Sequence, residues 1–330
     1  MPVTLRRGTV SAIVERHDGL VRLEVDGHPC VAYPDVTGPV TLGDDVLVNV
    51  QAVELGLGTG GYDVLHANLT RGLELAADDG AHVMKLPYTS LQHAVRHAEE
   101  SWVDEPAADL GGLPVVSCSL HSQVAPVCAG LGRDIRVAYV QLGGGALPVA
   151  LSDTVRALRA NGYLRTTVAV GPCLAGELAS VSAASALIAS AAAGMDAVVC
   201  AIGPGVVGTG SRFGHGALSA ADAVNVATAL GGAAVLAPRV SVADQRERHR
   251  GLSHHTLAVL ELIQGAVSVA WPAGLDVPSE LGPVEVVDAS SWRTACEGLS
   301  LSHMGRGPDE EPWFFAAAFA AGRLARSLMR

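Results

Sequence analysis

Histidine and arginine side chains are concentrated in one polar stretch of the sequence, residues 244–255. It reads Asp-Gln-Arg-Glu-Arg-His-Arg-Gly-Leu-Ser-His-His, and an arginine precedes it at position 239. A neutral imidazole in such a stretch can act as a general base or as a metal ligand. His254 and His255 are therefore catalytic candidates, and because they would point about 100° apart on a helix, we expect one of them to face a cleft. The ligand-binding candidates here are Arg239, Asp244, Arg246 and Ser253, and Ser253 is also a predicted helix N-cap.

A glycine-containing loop from Gly203 to Gly216 follows a short apolar segment and precedes a predicted helix start at Ser219. Glycine lets the backbone approach a ligand closely, and a helix N-terminus adds a partial positive charge. We expect this loop to bind the anionic part of a small molecule, with Arg212 as a bidentate partner. His215 is a third catalytic candidate, and the ligand-binding candidates are Gly203, Gly205, Gly208, Thr209, Gly210, Ser211 and Arg212.

Polar side chains also follow two other apolar segments. After Pro114–Cys118 come a catalytic candidate, His121, and three ligand-binding candidates, Ser119, Ser122 and Gln123. Cys173 follows Thr166–Val170 and precedes a predicted helix, where a thiolate could be stabilised for nucleophilic attack. The alternative for Cys173 is a small apolar residue in a turn, and the two serines are the other candidate nucleophiles.

The pattern Gly203-x-Gly205-x-x-Gly208 matches a dinucleotide-binding fingerprint, but its context differs. Pro204 occupies the turn, about ten residues separate Gly208 from the helix, and Arg239 stands where an acidic residue is expected. A second match, 56–61, is interpreted as a glycine-rich bend. His93 and His97 would share a helix face without a third ligand, so the sequence assigns no metal site and leaves the cofactor unspecified.

The elements that position these residues alternate between strand and helix from residue 113 onward. Seven short apolar segments with helical segments between most of them indicate a doubly wound, mostly parallel α/β sheet. In such sheets ligands bind at the carboxyl ends of the strands, where the candidate loops lie. Period-two alternation with Asp-Gly turns earlier in the chain predicts a small antiparallel β-barrel. The predicted domains are 1–88, the barrel, 89–112, a helical connector, and 113–330, the α/β domain.

Composition excludes several classes of partner. The net charge of −11 and the absence of a Lys/Arg stripe argue against nucleic acid, and no segment is typical of a membrane surface. Residues 178–195 are uncharged but made of small residues, which favours a buried helix. With no signal peptide and no CxxC pair, we expect a cytoplasmic protein with reduced thiols. The C-terminal segment from 312 holds three of the four phenylalanines, which favours docking on its own core or a homodimer through this helix.

Five motifs taken in order resemble a bacterial family, domain-of-unknown-function family 3866. They are Gly56-Leu-Gly-Thr-Gly-Gly-Tyr62, Met84-Lys-Leu-Pro-Tyr88-Thr, Ser119-Leu-His-Ser122, Gly203-Pro-Gly-Val-Val-Gly-Thr-Gly210 and Ser253-His-His-Thr256. The resemblance covers nearly the whole chain. It implies a cytoplasmic bacterial protein in which both regions belong to one unit, and it brings no activity, cofactor or catalytic residue.

Together these features predict an enzyme, a hydrolase or group transferase, that acts on a small anionic metabolite at the carboxyl edge of the sheet. The glycine loop and Arg212 would hold the anion, and the histidines would supply acid–base chemistry. Alternatives are a non-catalytic metabolite-sensing module, an NAD(P)-type dinucleotide binder, and a mainly structural oligomer. Convergence of His121, His215 and His254 or His255 in one cleft is the structural expectation of the enzyme hypothesis.

Overall fold

The computed structural model describes residues 3–329, apart from residue 59, residues 72–79 and residue 103. Thr59 of the glycine-rich bend and Val103 of the predicted connector therefore lie outside the described residues. Two compact units are present, Met1–Val95 and Arg96–Arg330. Each has its own hydrophobic core.

The first unit contains a closed five-stranded barrel. Its strands, β1 to β5, pair in the order β1-β2-β3-β5-β4, and β3 and β5 are parallel while the other pairs are antiparallel. The period-two pattern turns alternate apolar side chains inward, so that Val10, Leu23 and Val46 are buried. The elements are β1 Leu5–His17, β2 Leu20–Val25, β3 His28–Ala32, α1 Pro34–Thr37, β4 Asp45–Asn49, α2 Gln51–Glu54 and β5 Asp63–Asn68.

Two strands that follow the barrel correct the sequence-based expectation. β6 (Val83–Lys85) lies within the predicted barrel domain, 1–88, but it pairs with β7 (His93–Val95) in a separate two-stranded sheet. The predicted helix in this region is replaced by β7 and a 3₁₀ helix, Ala98–Ser101, with His97 at its N-cap. His93 and His97 therefore share no α-helix face, because strand pairing overrides the local helical pattern.

The second unit is built on an eight-stranded parallel sheet, which confirms the predicted fold class. Its order is β11-β10-β9-β12-β8-β13-β16-β17, so β8 and β12 lie side by side at its centre. All seven predicted strands are present, and β11 is an additional edge strand. The strands of this unit are β8 Pro114–Cys118, β9 Val137–Leu142, β10 Thr166–Val170, β11 Leu178–Ser180, β12 Ala197–Ile202, β13 Ala233–Ala237, β14 Val240–Ser241, β15 Gly251–Leu252, β16 Ser268–Pro272 and β17 Glu285–Val287. β14 and β15 form a separate two-stranded sheet.

Helices cover both faces of the sheet. Successive residues of each strand face opposite sides of the sheet. Val116 and Val199 pack with α3 and α9 on one face, and Val115 and Val198 pack with α5 and α6 on the other. The helices are α3 Val124–Leu131, α4 Asp153–Ala160, α5 Ala183–Ala192, α6 Ser219–Ala229, α7 His254–Leu262, α8 Trp292–Ala295 and α9 Pro312–Ser327. Short 3₁₀ helices are His121–Gln123, Val149–Leu151, Gly216–Leu218, Glu247–His249 and Ser279–Leu281.

The C-terminal helix α9 is a core element. Phe314, Phe315 and Phe319 are at most 2% exposed within the single chain. Gly130 of α3 and Gly322 of α9 let the two backbones touch, since a Cβ on Gly322 would lie 2.1 Å from the carbonyl oxygen of Val127. These aromatic side chains are thus buried in their own unit, which gives no support to a homodimer through them. Among the described residues, no helix is long and apolar enough to cross a bilayer.

Candidate functional site

Four imidazole rings form a cluster beyond the carboxyl end of the central strands. His215, which follows the glycine loop, stacks on His255 at 3.8 Å between ring centroids. The rings of His249 and His254 complete the cluster, with centroids 4.7 Å apart. One ligand nitrogen from each of His215, His254 and His255 lies within 4.8 Å of the others. The structure therefore brings together three of the four predicted catalytic histidines.

The β14–β15 pair positions two members of this cluster. β15 runs antiparallel to β14, and the Ser253 amide donates to the carbonyl of Arg239 at 2.9 Å. Ser253 caps α7 as predicted, accepting from the His255 amide, and its hydroxyl is hydrogen-bonded to Nδ1 of His249 at 2.7 Å. The cap fixes where α7 begins, and with it the directions of His254 and His255.

Burial keeps these imidazoles neutral. Desolvation, assisted by the nearby Arg239 guanidinium, lowers the pKa of His249 to about 3. Desolvation and the adjacent His215 lower the pKa of His255 to about 2. The pKa values of His215 and His254 are lowered for the same main reason. Near pH 7 each ring therefore offers one nitrogen without a proton.

A buried charge network adjoins the histidines. Arg239 is 2% exposed and contacts Nδ1 of His255 through Nη1 and Asp244 Oδ2 through Nη2, both at 3.3 Å. Desolvation lowers the pKa of Arg239 to about 10. Asp244 also accepts from Arg246, whose hydrogen bonds hold the pKa of this carboxyl well below its usual range. Arg306 lies 3.5 Å from the same carboxylate and pairs with buried Glu311 at 2.8 Å.

Unsatisfied polar atoms are concentrated at this site. Among the described residues, nine buried side-chain nitrogen or oxygen atoms have no hydrogen-bond partner. Four of the nine belong to the histidine cluster and the charge network, and a fifth belongs to His303, whose pKa is lowered in part by Arg239 and Arg306. Buried polar groups are ordinarily paired. This concentration is what a binding site for a polar ligand or an ion would produce. The five atoms are Nδ1 of His215, Nε of Arg239, Nε2 of His254, Nε2 of His303 and Nη2 of Arg306.

His121, the fourth predicted catalytic histidine, is engaged in a different network. Its Nε2 accepts from the Ser152 hydroxyl at 2.6 Å, and Nδ1 lies 3.1 Å from the carbonyl oxygen of Ile202. Its ring contact is an edge-on approach to Tyr139 at 6.0 Å. Burial lowers the pKa of His121 to about 4. Both ring nitrogens are thus used inside the fold, so His121 ties α4 to the end of β12.

The predicted binding residues after β8 have two different roles: Ser119 and Gln123 make contacts within the fold, whereas Ser122 contacts His303. Gln123 is fully buried and donates to the carbonyls of Ala237 and Pro238, while its oxygen accepts from Ser119. These contacts hold neighbouring strand ends together. Ser122 instead reaches Nδ1 of His303 at 3.2 Å, and so touches the charge network.

The glycine loop owes much of its composition to packing between loops. A Cβ on Gly203 would lie 2.0 Å from the carbonyl oxygen of Ala146, and one on Gly216 would lie 2.0 Å from that of Gly144. A Cβ on Gly208 would meet His215 at 2.8 Å. Gly203 and Gly216 are required by the close approach of two loops, and Gly208 by a contact within its own loop, which accounts for all three without a pyrophosphate.

The outer part of that loop is exposed and internally bonded. The Thr209 amide donates to the carbonyl of Gly214 at 2.7 Å, and its hydroxyl is bonded to that of Ser211 at 2.8 Å. The predicted anion partner Arg212 is paired with Glu261 at the surface. Gly205 and Gly210 are also exposed, and Gly210 lies near Arg248. The structure thus places Arg239, rather than Arg212, beside the histidines.

Cys173, the predicted nucleophile, lies in the hydrophobic core. Its side chain is 0% exposed and packs in the same cluster as Tyr139 and Val149. This is the packing alternative rather than a position at a cleft. A depression of about 430 Å³ lies at the opposite, amino edge of the sheet, lined by Leu110 and Met329 among others. It contains none of the candidate residues.

Three site residues were missed in the sequence, namely His303, Arg306 and Glu311. They precede α9, and His303 stacks on Phe314 at 3.8 Å between centroids. Burial, together with Arg239 and Arg306, lowers the pKa of His303 to about 3. The signal that could have found His303 and Arg306 is the segment Ser302-His-Met-Gly-Arg306, which lies between two helices.

Fold and site define a class: a closed β-barrel unit followed by a parallel α/β unit with a histidine and arginine site at its carboxyl edge. The chain belongs to the family described as "Protein of unknown function (DUF3866)", which matches residues 29–322. The resemblance of its sequence motifs is thereby confirmed. Comparison with curated proteins gave no significant match.

Proposed function

We propose that this protein is an enzyme, a hydrolase or group transferase, acting on a small anionic metabolite at the carboxyl edge of its parallel sheet. The residues that would bind and act on the metabolite are His215, His254, His255, Arg239, His303 and Arg306. The observation that carries the proposal is the concentration of buried polar atoms without a hydrogen-bond partner on five of these six side chains, all except His255. A fold leaves such atoms unpaired where a ligand pairs with them.

The charge of the site favours an anionic ligand. Three guanidinium groups, those of Arg239, Arg246 and Arg306, face two carboxylates, those of Asp244 and Glu311. One positive charge is in excess, and the histidines contribute none while they are neutral. Nε of Arg239 has no acceptor, and Nη2 of Arg306 has only a long contact of 3.5 Å with Asp244; a phosphate or carboxylate supplies acceptors in the geometry that guanidinium groups match.

Neutral imidazoles beside an anion site favour catalysis over binding alone. An unprotonated imidazole nitrogen can take the proton of water or of a substrate hydroxyl while that oxygen bonds to the transferred group, and the departing group leaves with the electrons of the bond that breaks. The sensing alternative uses the same site but predicts ligand-induced stabilisation without product. The two are separated by product analysis of every compound that raises the melting temperature.

The cysteines support placing this enzyme in the cytoplasm. All six are buried and free of disulfides. Burial raises the pKa of Cys30 and of Cys200 to about 12. Thiols kept protonated in a core are typical of a reducing compartment.

The test is a thermal-shift screen of phosphorylated, nucleotide and carboxylate metabolites against two matched arginine variants. Arg239→Met should abolish the ligand-induced shift because it removes the buried guanidinium, whereas Arg212→Met should keep it because that side chain is exposed and paired with Glu261. Arg306→Met, at a half-buried position, repeats the test if Arg239→Met fails to fold. Equal loss in Arg212→Met, or none in the other two, would contradict the assignment.

A further inference from the structure

Three of the four histidines in the cluster, His215, His254 and His255, each bring one ring nitrogen within 4.8 Å of the others. His215 shows this most clearly: its Nε2 is 2.9 Å from the carbonyl oxygen of Arg212, which can only accept, so Nε2 carries the proton. Nδ1 of the neutral ring is then an acceptor, and it is buried without a partner. A ring held by a backbone carbonyl on one nitrogen, with the other bare, is the arrangement of a metal-ligating histidine.

Each of the other two rings also brings a nitrogen to this place. Nε2 of His254 is buried and has no hydrogen-bond partner. Nδ1 of His255 accepts from Nη1 of Arg239 at 3.3 Å, so it carries no proton, and a metal ion bound there would replace that contact. His254 and His255 are consecutive at the start of α7, and the Ser253 cap holds both close to His215.

We propose that His215, His254 and His255 bind one divalent transition-metal ion, with Zn²⁺ as the best-fitting ion. Imidazole nitrogens suit zinc and its neighbours in the first row, whereas calcium and magnesium prefer oxygen. Ligand nitrogens around tetrahedral zinc are roughly 3.4 Å apart, given Zn–N distances of about 2.0–2.1 Å. The 4.8 Å limit that encloses the three nitrogens is wider than this, and His215 and His255 are stacked, so the rings would rotate on binding to direct their nitrogens at one ion.

Three protein ligands leave one coordination position open, which is the pattern of catalytic rather than structural zinc sites. The ion would add two positive charges beside Arg239. An anion at the open position would neutralise the part of this positive charge that the protein's own carboxylates do not. This role in the reaction rests on the proposed function, whereas binding of the ion does not. At the open position such an ion lowers the pKa of a bound water to about 7.

The test is metal binding by the full chain after removal of metal with a chelator. Equilibrium dialysis against Zn²⁺ near pH 7.5 should give one ion per chain, and Co²⁺ should give the visible absorption of a four-coordinate site. His215→Ala, His254→Ala and His255→Ala should each weaken binding by more than the about 10–100-fold typical of losing an outer-shell partner. His28→Ala, at an exposed barrel position, is the matched control and should bind as the wild type does.

Folding is monitored separately, by the melting temperature of each metal-free variant. A variant that keeps this temperature but loses the stabilisation by Zn²⁺ supports the site, and the corresponding His→Gln change replaces any alanine variant that unfolds. Absence of bound ion in the wild type, or wild-type binding in all three histidine variants, would overturn the proposal. Because activity is not measured, failure of the metal site is distinguishable from failure of the proposed reaction.

Discussion

Two segments at the carboxyl edge of the sheet are both predicted to bind a ligand, but their bonding differs. In the loop from Gly203 to Gly216, backbone groups are bonded to the neighbouring loop: the Val207 amide donates to the carbonyl of Gly144, and the Ala146 amide to that of Pro204. In the segment from Asp244 to His255, β15 is paired with β14, and Nε2 of His254 is left without a hydrogen-bond partner. Nδ1 of His215, near the end of the first loop, also has no partner, so this residue is grouped with the second segment.

The difference shows what separates a structural loop from a binding segment. Glycines in the first loop lie against another backbone where a Cβ would not fit, so they are required for packing. In the second segment, His254 and His255 are held by the Ser253 cap and a short strand pair, and Nε2 of His254 has no hydrogen-bond partner. Both segments contain residues that could bind a ligand. Only the hydrogen-bond partners of those residues distinguish the two segments. Three substitutions test this comparison.

The largest effect is expected at Asp244, which joins the binding segment to the charge network. Asp244→Ala leaves Arg239 buried without its carboxylate and should lower the free energy of unfolding by about 3–5 kcal/mol. Because the pKa of Asp244 is lowered in the fold, its contribution is complete above the unfolded value and is lost as pH falls through the folded one.

Urea unfolding of wild type and Asp244→Ala from pH 7 downward measures both predictions. The difference between the two free energies should shrink below about pH 5, while the neutral histidines, common to both proteins, cancel from the difference. A difference that grows on acidification would show that Asp244 is not the ionised partner of Arg239.

A smaller but still large effect is expected in the structural loop. Gly216→Ala places a Cβ 2.0 Å from the carbonyl oxygen of Gly144, and neither backbone has room to move without opening the loop contact. We expect a loss of about 3 kcal/mol, the upper end of the usual range for overpacking. Gly210→Ala, with 3.8 Å to Arg248, should cost little. Equal stability of the two variants in urea unfolding would mean that the loop glycines serve something other than packing.

Much of the fold could be predicted because its signals are local. Pro114–Cys118 and Thr166–Val170 were predicted with the bounds that the structure shows, since a short apolar segment between helical segments is typical of a buried parallel strand. β7 and β11 were missed because three-residue strands owe their existence to a neighbour, β6 in one case and β10 in the other. A three-residue segment is too short to show a period-two pattern, so the sequence gives no sign that it pairs with another strand.

The site was predicted in its position and in part of its membership. Residue type and the strand-end rule sufficed for His215, His254 and His255. His121 met the same criteria, but its partners Ser152 and Ile202 come from other loops, so no local pattern indicates that its nitrogens are occupied. His303, Arg306 and Glu311 reach the site from a segment next to α9, and only the fold brings them there.

The smallest effect in the comparison is expected at His121, which should behave as a structural histidine. His121→Asn can keep a donor near the Ile202 carbonyl but cannot reach the Ser152 hydroxyl, so we expect a loss of about 1 kcal/mol. His121→Leu forfeits both hydrogen bonds and should lose about 2 kcal/mol. Zn²⁺ binding should match the wild type in both variants, because neither nitrogen of His121 is bare. Weakened binding in a well-folded His121→Asn would place this ring in the metal site and remove the distinction between bonded and bare imidazoles.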